Sequence, residues 1–200
     1  MAEESSAGVT PSTPHTNKTP GSHIGVVGAG ICGLTTALAL SSAGHRVTVL
    51  ERDQPPPDGD ADAAFFDWPR RGAAQFRHPH AFLGLMCNLL QDNYPDLLDA
   101  FIAAGARRFP FAEGLPPELG ERYTPEPGDE RLWMLLCRRA TIETVLRRYV
   151  EEHANVTILN SQRITGLHVS PAKAGEPVNV YRLPRKMTTQ RSSTTPATTD

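Results

Sequence analysis

The stretch HIGVVGAGICGLTTALALSSAGHRVTVLERD, from His23 to Asp53, decides the fold. Ile24–Val27 is a short apolar run that ends at Gly28, which reads as a buried strand. Ile31–Ser42 follows as a helix rich in small residues, and Gly44 closes it. Val47–Leu50 is a second short β-branched strand. Strand, glycine turn, helix and strand form a βαβ unit, so the two strands are expected to be parallel.

The turn itself is Gly28-Ala29-Gly30-Ile31-Cys32-Gly33, a G-x-G-x-x-G sequence in the setting that gives the motif its meaning. Gly28 permits the tight turn. Gly30 lets a pyrophosphate approach the backbone, and Gly33 lets the helix sit close on the sheet. The helix N-terminus offers unpaired N–H groups and the positive end of a dipole. Glu51, about 20 residues on, stands where an acidic residue accepts the ribose hydroxyls of an adenosine, and its charge disfavours a 2′-phosphate. The motif predicts an ADP-type ligand. It leaves NAD and FAD open, because both present the same half.

Outward from this unit the chain changes character. Residues 1–22 contain almost no large apolar side chain and read as a disordered tail, as do residues 170–200 with their Thr/Ser run. The expected division is a tail at 1–22, a partial binding domain at 23–169 and a low-complexity tail at 170–200. Between them, Gln54–Asp62 is a Pro- and Asp-rich loop, and Phe65–Arg77 is irregular. Ala81–Asn93 carries apolar residues at helical spacing. Pro95 breaks that helix and opens the next, Asp96–Ala104. Phe109–Asp129 is loop-like with five prolines. Leu132–Leu136 is expected as a strand, Ala140–Glu151 as a helix and Val156–Leu159 as a strand. Trp68 and Trp133 are packing aromatics.

Composition narrows the function. The 200 residues carry a net charge of −2, with 39% hydrophobic and 21% charged residues, and nothing in that balance calls for nucleic acid or an anionic membrane. No apolar run reaches the ~18 residues of a membrane span, and no secretory signal is visible. Three cysteines, Cys32, Cys87 and Cys137, are widely spaced and match no metal pattern, which fits reduced thiols in the cytoplasm. His78 and His80 form an H-x-H pair without a third ligand at clear spacing, so no metal site is expected.

Three segments resemble the FAD-dependent monooxygenases, a superfamily of aromatic-ring hydroxylases, squalene-epoxidase-like enzymes and flavin halogenases. They are the His23–Asp53 stretch, RRGAAQFRHPHAFLGLMCNLLQDNYPDLLDAFIAAGA from Arg70, and LCRRATIETVLRRYVEEHANVTILNSQRITGL from Leu136. The resemblance implies an α/β, Rossmann-like FAD/NAD(P)-binding domain that is incomplete, with FAD as cofactor. By the same resemblance Gly28, Gly30 and Gly33 cradle the pyrophosphate, Glu51 binds ribose and Arg52 lies beside the adenosine. Arg139 reaches the phosphate–ribose region, Ile164 lies in the strand that flanks adenine, and Arg77 lies close to the flavin. It implies NAD(P)H and O2 as co-substrates and hydroxylation or epoxidation of a small organic substrate. It names no catalytic acid or base.

The resemblance fades after His168. The later Gly-Asp flavin motif and the substrate domain are not found, and Gly128-Asp129 lies in the wrong place. The chain is therefore expected to be a truncated member, with an open sheet edge and exposed apolar surface. The alternatives are a non-catalytic ADP- or FAD-binding remnant and an NAD-dependent dehydrogenase. The Arg139 helix and the Gln75–His80 segment speak against the dehydrogenase.

Overall fold

The computed structural model describes residues 21–166, together with the backbone of residues 168–169, 180–182 and 185–187. Residues 1–20 and most of 170–200, where the two tails are expected, lie outside the described residues.

The βαβ unit forms as its sequence dictates. Strand β1 (His23–Val27) leads through the glycine turn into helix α1 (Ile31–Ser42), which returns to strand β2 (Arg46–Leu50). β1 and β2 pair in parallel, from His23 opposite Arg46 to Val27 opposite Leu50. The helix ends at Gly44, whose φ of 89° places it in the left-handed region. There the Gly44 N–H donates to the Ser41 carbonyl and the His45 N–H to the Leu40 carbonyl, satisfying two carbonyls that the helix leaves unpaired. Leu34, Ala37 and Leu38 turn inward and meet the buried Val47 and Val49 of β2. Each large side chain so buried is worth about 1.5–3 kcal/mol.

Strand β6 (Val156–Leu159) adds to the free side of β2, also in parallel, giving a three-stranded sheet of order β1-β2-β6. The chain reaches β6 through helix α6 (Arg139–Glu151), which buries Ile142, Leu146 and Val150 against the same core. This is the parallel sheet with crossover helices that the sequence predicts.

Between β2 and α6 the chain builds a second layer. Helix α2 (Ala61–Asp67) starts at Asp60, whose side chain accepts from the Asp62 and Ala63 N–H groups. Strand β3 (Pro79–Phe82), helix α3 (Gly84–Asn93), helix α4 (Pro95–Ala103) and strand β4 (Arg107–Pro110) follow. After a short turn of helix, α5 (Pro117–Gly120), strand β5 (Trp133–Arg138) runs between β3 and β4, antiparallel to both. Strand β7 (Gln162–Ile164) pairs with Arg185–Met187, and His168–Val169 pairs with Val180–Arg182.

Several local expectations are corrected. The helix expected over Ala81–Asn93 begins only at Gly84, because Pro79–Phe82 pairs with Leu135–Arg138 and sheet pairing overrides helical spacing. Part of the expected loop Gln54–Asp62 and of the irregular segment 65–77 is α2, started by the Asp60 cap. Phe109 and Pro110 lie in a strand, since β5 offers them an edge. Val27, Phe66, Leu83 and Leu85 are exposed.

Candidate functional site

A cavity of about 380 Å³ opens at the carboxyl ends of β1 and β2, beside the start of α1. This is the position at which open parallel sheets bind ligands. Gly28, Gly30, Glu51, Arg52, Arg139 and Ile164, all singled out from sequence, line it together.

The glycine turn is shaped by steric demand at two points. Gly28 has a φ of 97°, a conformation that L side chains rarely adopt. At Gly33 an added Cβ would collide with the Gly28 carbonyl oxygen, so α1 can press onto the turn only with glycine there. Gly33 thus acts beneath the cavity. A Cβ on Gly30 would meet only the Arg70 guanidinium, at 4.0 Å, so this glycine keeps space open. Gly30 caps α1 without a side-chain hydrogen bond, and the first turn carries no acidic residue. Its N-terminal N–H groups are suited to an anion.

Glu51 ends β2, held there by its N–H on the Leu159 carbonyl at 2.8 Å. Its Oε2 accepts from the Ala29 N–H at 2.7 Å and its Oε1 from the Asp53 N–H at 2.9 Å. Burial pushes its carboxyl up. The Asp53 and Ala29 N–H groups and the Arg70 guanidinium outweigh that and hold it below the ordinary carboxylate value.

Arg70 is the residue that sequence reading missed. It lies past α2, yet its side chain is only 4% exposed at the cavity wall. Nη1 contacts Glu51 Oε2 at 3.1 Å and donates to Asp53 Oδ2 at 3.2 Å. Nε donates to Glu143 Oε2 at 2.9 Å, and Nη2 donates to the Ala29 carbonyl at 3.2 Å. The buried Trp68 ring backs it, 4.7 Å from Cζ, and Trp68 is fixed by its own Nε1 bond to the Gln54 carbonyl and by an edge contact with Phe76. In the sequence Arg70 is one of four Arg-Arg pairs, and no local signal separates it from a surface cation.

Arg139 opens α6, with its N–H on the His78 carbonyl and Nε donating to Glu143 Oε1 at 2.7 Å. Glu143 is fully buried and thus holds Arg70 and Arg139 with its two oxygens. His80 Nε2 lies 3.5 Å from Arg139 Nη1. Arg52 stays half exposed, 3.6 Å from Asp53, and Ile164 enters from β7 with Arg163 beside it. Arg52, Arg70, Arg139 and Arg163 therefore line the cavity with two carboxylates, Glu51 and Asp53. With Glu143 behind the wall a small excess of guanidinium remains, which suits an anion such as a pyrophosphate.

Arg77 is not brought to this cavity. Its Nε and Nη2 donate to the Phe65 and Phe66 carbonyls in the last turn of α2. The cysteines take no part in the cavity, and burial pushes the Cys87 and Cys137 thiols up, away from the reactive thiolate.

Residues 23–65 match the family of FAD dependent oxidoreductases (DAO). A 41-residue stretch is 56% identical to the phytoene dehydrogenase of Streptomyces griseus, covering 20% of this chain and 8% of that protein. Among solved structures, PqsL of Pseudomonas aeruginosa in complex with 2-aminobenzoylacetate has a TM-score of 0.50 at 18% identity, over 74% of this chain and 36% of that one. PqsL is described as a probable FAD-dependent monooxygenase. The p-nitrophenol 4-monooxygenase PnpA of Pseudomonas putida DLL-E4 has a TM-score of 0.47 at 21% identity, over 76% of this chain and 34% of that one. The chain spans about a third of the length of these solved structures.

The chain is therefore an α/β protein with a Rossmann-like fold. Its βαβ unit is similar to the FAD dependent oxidoreductases, and FAD is the cofactor which that family's description names. Among the described residues no helix is long and apolar enough to cross a membrane.

Proposed function

We propose that the chain is the front, FAD-holding part of a flavin monooxygenase, and that the cavity takes the ADP half of FAD. The observation that carries this reading is the convergence of the Gly28–Gly33 turn, the uncapped start of α1 and four guanidinium groups on one opening. Its volume of about 380 Å³ lies at the small end of the ~300–1,000 Å³ of ligand sites, which suits half of a dinucleotide.

In this reading the N-terminal N–H groups of α1 and Arg139 bind the pyrophosphate, and Gly28 and Gly30 let it approach. Gly33 holds α1 against the turn. Glu51 accepts from ribose, Arg52 lies along the adenosine, and the β7 backbone at Ile164 flanks adenine. Arg77 steadies α2, which packs against α6, and lies towards the flavin end, outside the cavity for the ADP half. When bound, FAD supplies hydride acceptance from NAD(P)H and the chemistry with O2, and the protein supplies binding and orientation. The full reaction is hydroxylation or epoxidation of a small organic substrate. Three free thiols suit a cytoplasmic setting.

The test is the visible spectrum of the purified chain with FAD, followed by NADPH in the absence of oxygen. A shifted flavin band that bleaches supports the monooxygenase reading. ADP affinity without any flavin shift would reduce the reading to an ADP-binding module. A folded chain that binds neither ADP nor FAD would overturn it.

A further inference from the structure

Arg147 on α6 is fully buried, yet it does not line the cavity. Its Nε donates to Glu151 Oε1 at 2.9 Å, one turn on, and its Nη2 donates to Asn160 Oδ1 at 2.7 Å. Nη1 has no partner among the described residues. Glu151 is 42% exposed, so water screens that pair. The short bond to Asn160 is the firmer of the two. Losing it would leave a buried cation with one screened partner.

Asn160 opens the turn between β6 and β7. Ser161, the next residue, has a φ of 57° and is the only non-glycine residue in the left-handed region among the described residues. A side chain is strained there, so the turn keeps this shape only where its neighbours enforce it. The Ser161 N–H donates to the Asp53 carbonyl at 3.2 Å and the Gln162 N–H to the Glu51 carbonyl at 2.7 Å, which ties the turn to the end of β2. The Asn160 side chain ties it to α6. Directly beyond the turn, Gln162, Arg163 and Ile164 form one wall of the cavity.

We propose that Arg147, acting through Asn160, is a positioning residue for the base end of the nucleotide: it holds the β6–β7 turn in the shape that sets the Gln162–Ile164 wall, and with it the choice between adenine and other bases. This rests on the nucleotide reading above, in which β7 flanks adenine, and deepens it. Arg147 itself touches no ligand. Its burial makes the setting firm, because the turn cannot swing away without stripping a buried guanidinium of its short hydrogen bond.

The experiment is calorimetric titration of the full chain with ADP and GDP, repeated on Asn160→Ala, Asn160→Asp and Arg147→Met, with thermal melts recording folding. The unsubstituted chain is expected to prefer ADP by about tenfold. Asn160→Ala and Arg147→Met both release the turn, and each is expected to bind ADP about tenfold more weakly with GDP changed within about twofold, so that the preference disappears. Asn160→Asp keeps an acceptor for Nη2 and is expected to retain the preference. Arg147→Met removes the buried charge together with its bond, so it decides if Asn160→Ala does not fold. If neither folds, amide exchange on the unsubstituted chain decides: the Ser161 and Gln162 N–H groups are expected to be protected, and rapid exchange there would overturn a fixed turn. A merely structural role would weaken ADP and GDP alike, and that result in a folded variant would overturn the proposal. An unchanged ADP preference in folded Asn160→Ala or Arg147→Met, or its loss in Asn160→Asp, would do the same. Equal affinity of the unsubstituted chain for ADP and GDP would sink this proposal alone. Failure to bind either nucleotide would sink the nucleotide reading itself and this proposal with it.

Discussion

Arg70 Nη1 lies 3.1 Å from Glu51 Oε2, so a residue beyond α2 holds the carboxylate that ends β2. The same guanidinium reaches Glu143 on α6, 73 residues away in sequence. Turn, strand end and crossover helix are tied by one buried side chain.

Breaking this network from the acidic side should be costly. Glu143→Ala removes the partner of two guanidinium groups at a fully buried position. A loss of about 3 kcal/mol is expected, because Arg139 loses its carboxylate partner and Arg70 is left with Glu51 and Asp53 alone. The exposed Arg107–Glu113 pair, at a similar 2.9 Å, is the contrast: Glu113→Ala should change stability by less than about 1 kcal/mol. Urea denaturation of both variants checks the difference.

Gly33→Ala and Gly30→Ala should separate structure from binding. The first drives a methyl into the Gly28 carbonyl and should cost about 1–3 kcal/mol by overpacking. The second meets open space, so its melting temperature should stay close to that of the parent while ADP affinity falls about tenfold. Equal melting temperatures for the two variants would contradict the steric account.

Acid should weaken the fold through Glu51. Its carboxyl titrates below its ordinary 4.5 in the folded chain, because two backbone N–H groups and Arg70 favour the charged form over the opposing effect of burial. A depressed carboxyl contributes stability that is fully present above the unfolded value and is lost as pH falls through the folded one. Thermal melts between pH 6 and pH 3 should show this decline below about pH 4.5. Glu51→Gln should start less stable and decline less over the same range.

Arg77 gives a negative control. Its contacts are the Phe65 and Phe66 carbonyls, so Arg77→Ala should lose about 1 kcal/mol and leave ADP affinity within about twofold. A tenfold loss of ADP affinity in a folded variant would return Arg77 to the binding site.

The βαβ unit was legible in the sequence because each of its signals is local. A β-branched run, glycines at fixed offsets and a C-terminal glycine act within a few residues, and the observed strands and helix fall where those signals put them. The convergence of Gly28, Gly30 and Glu51 follows from the same geometry. Strand β3 was not legible, because Ala81 and Phe82 belong equally to a helical spacing until β5 offers hydrogen bonds.

What the sequence by itself determined is the α/β class, the parallel pairing of β1 with β2 and the place of the cavity beside the glycine turn, since short-range sterics and periodicity set all three. Only the tertiary structure decided that Arg70 occupies that cavity wall, that Glu143 braces it with Arg139, and that Arg77 turns to the end of α2. Those outcomes depend on charges brought together from distant segments, where burial makes an unpaired ion costly and so selects one arginine among several alike in sequence.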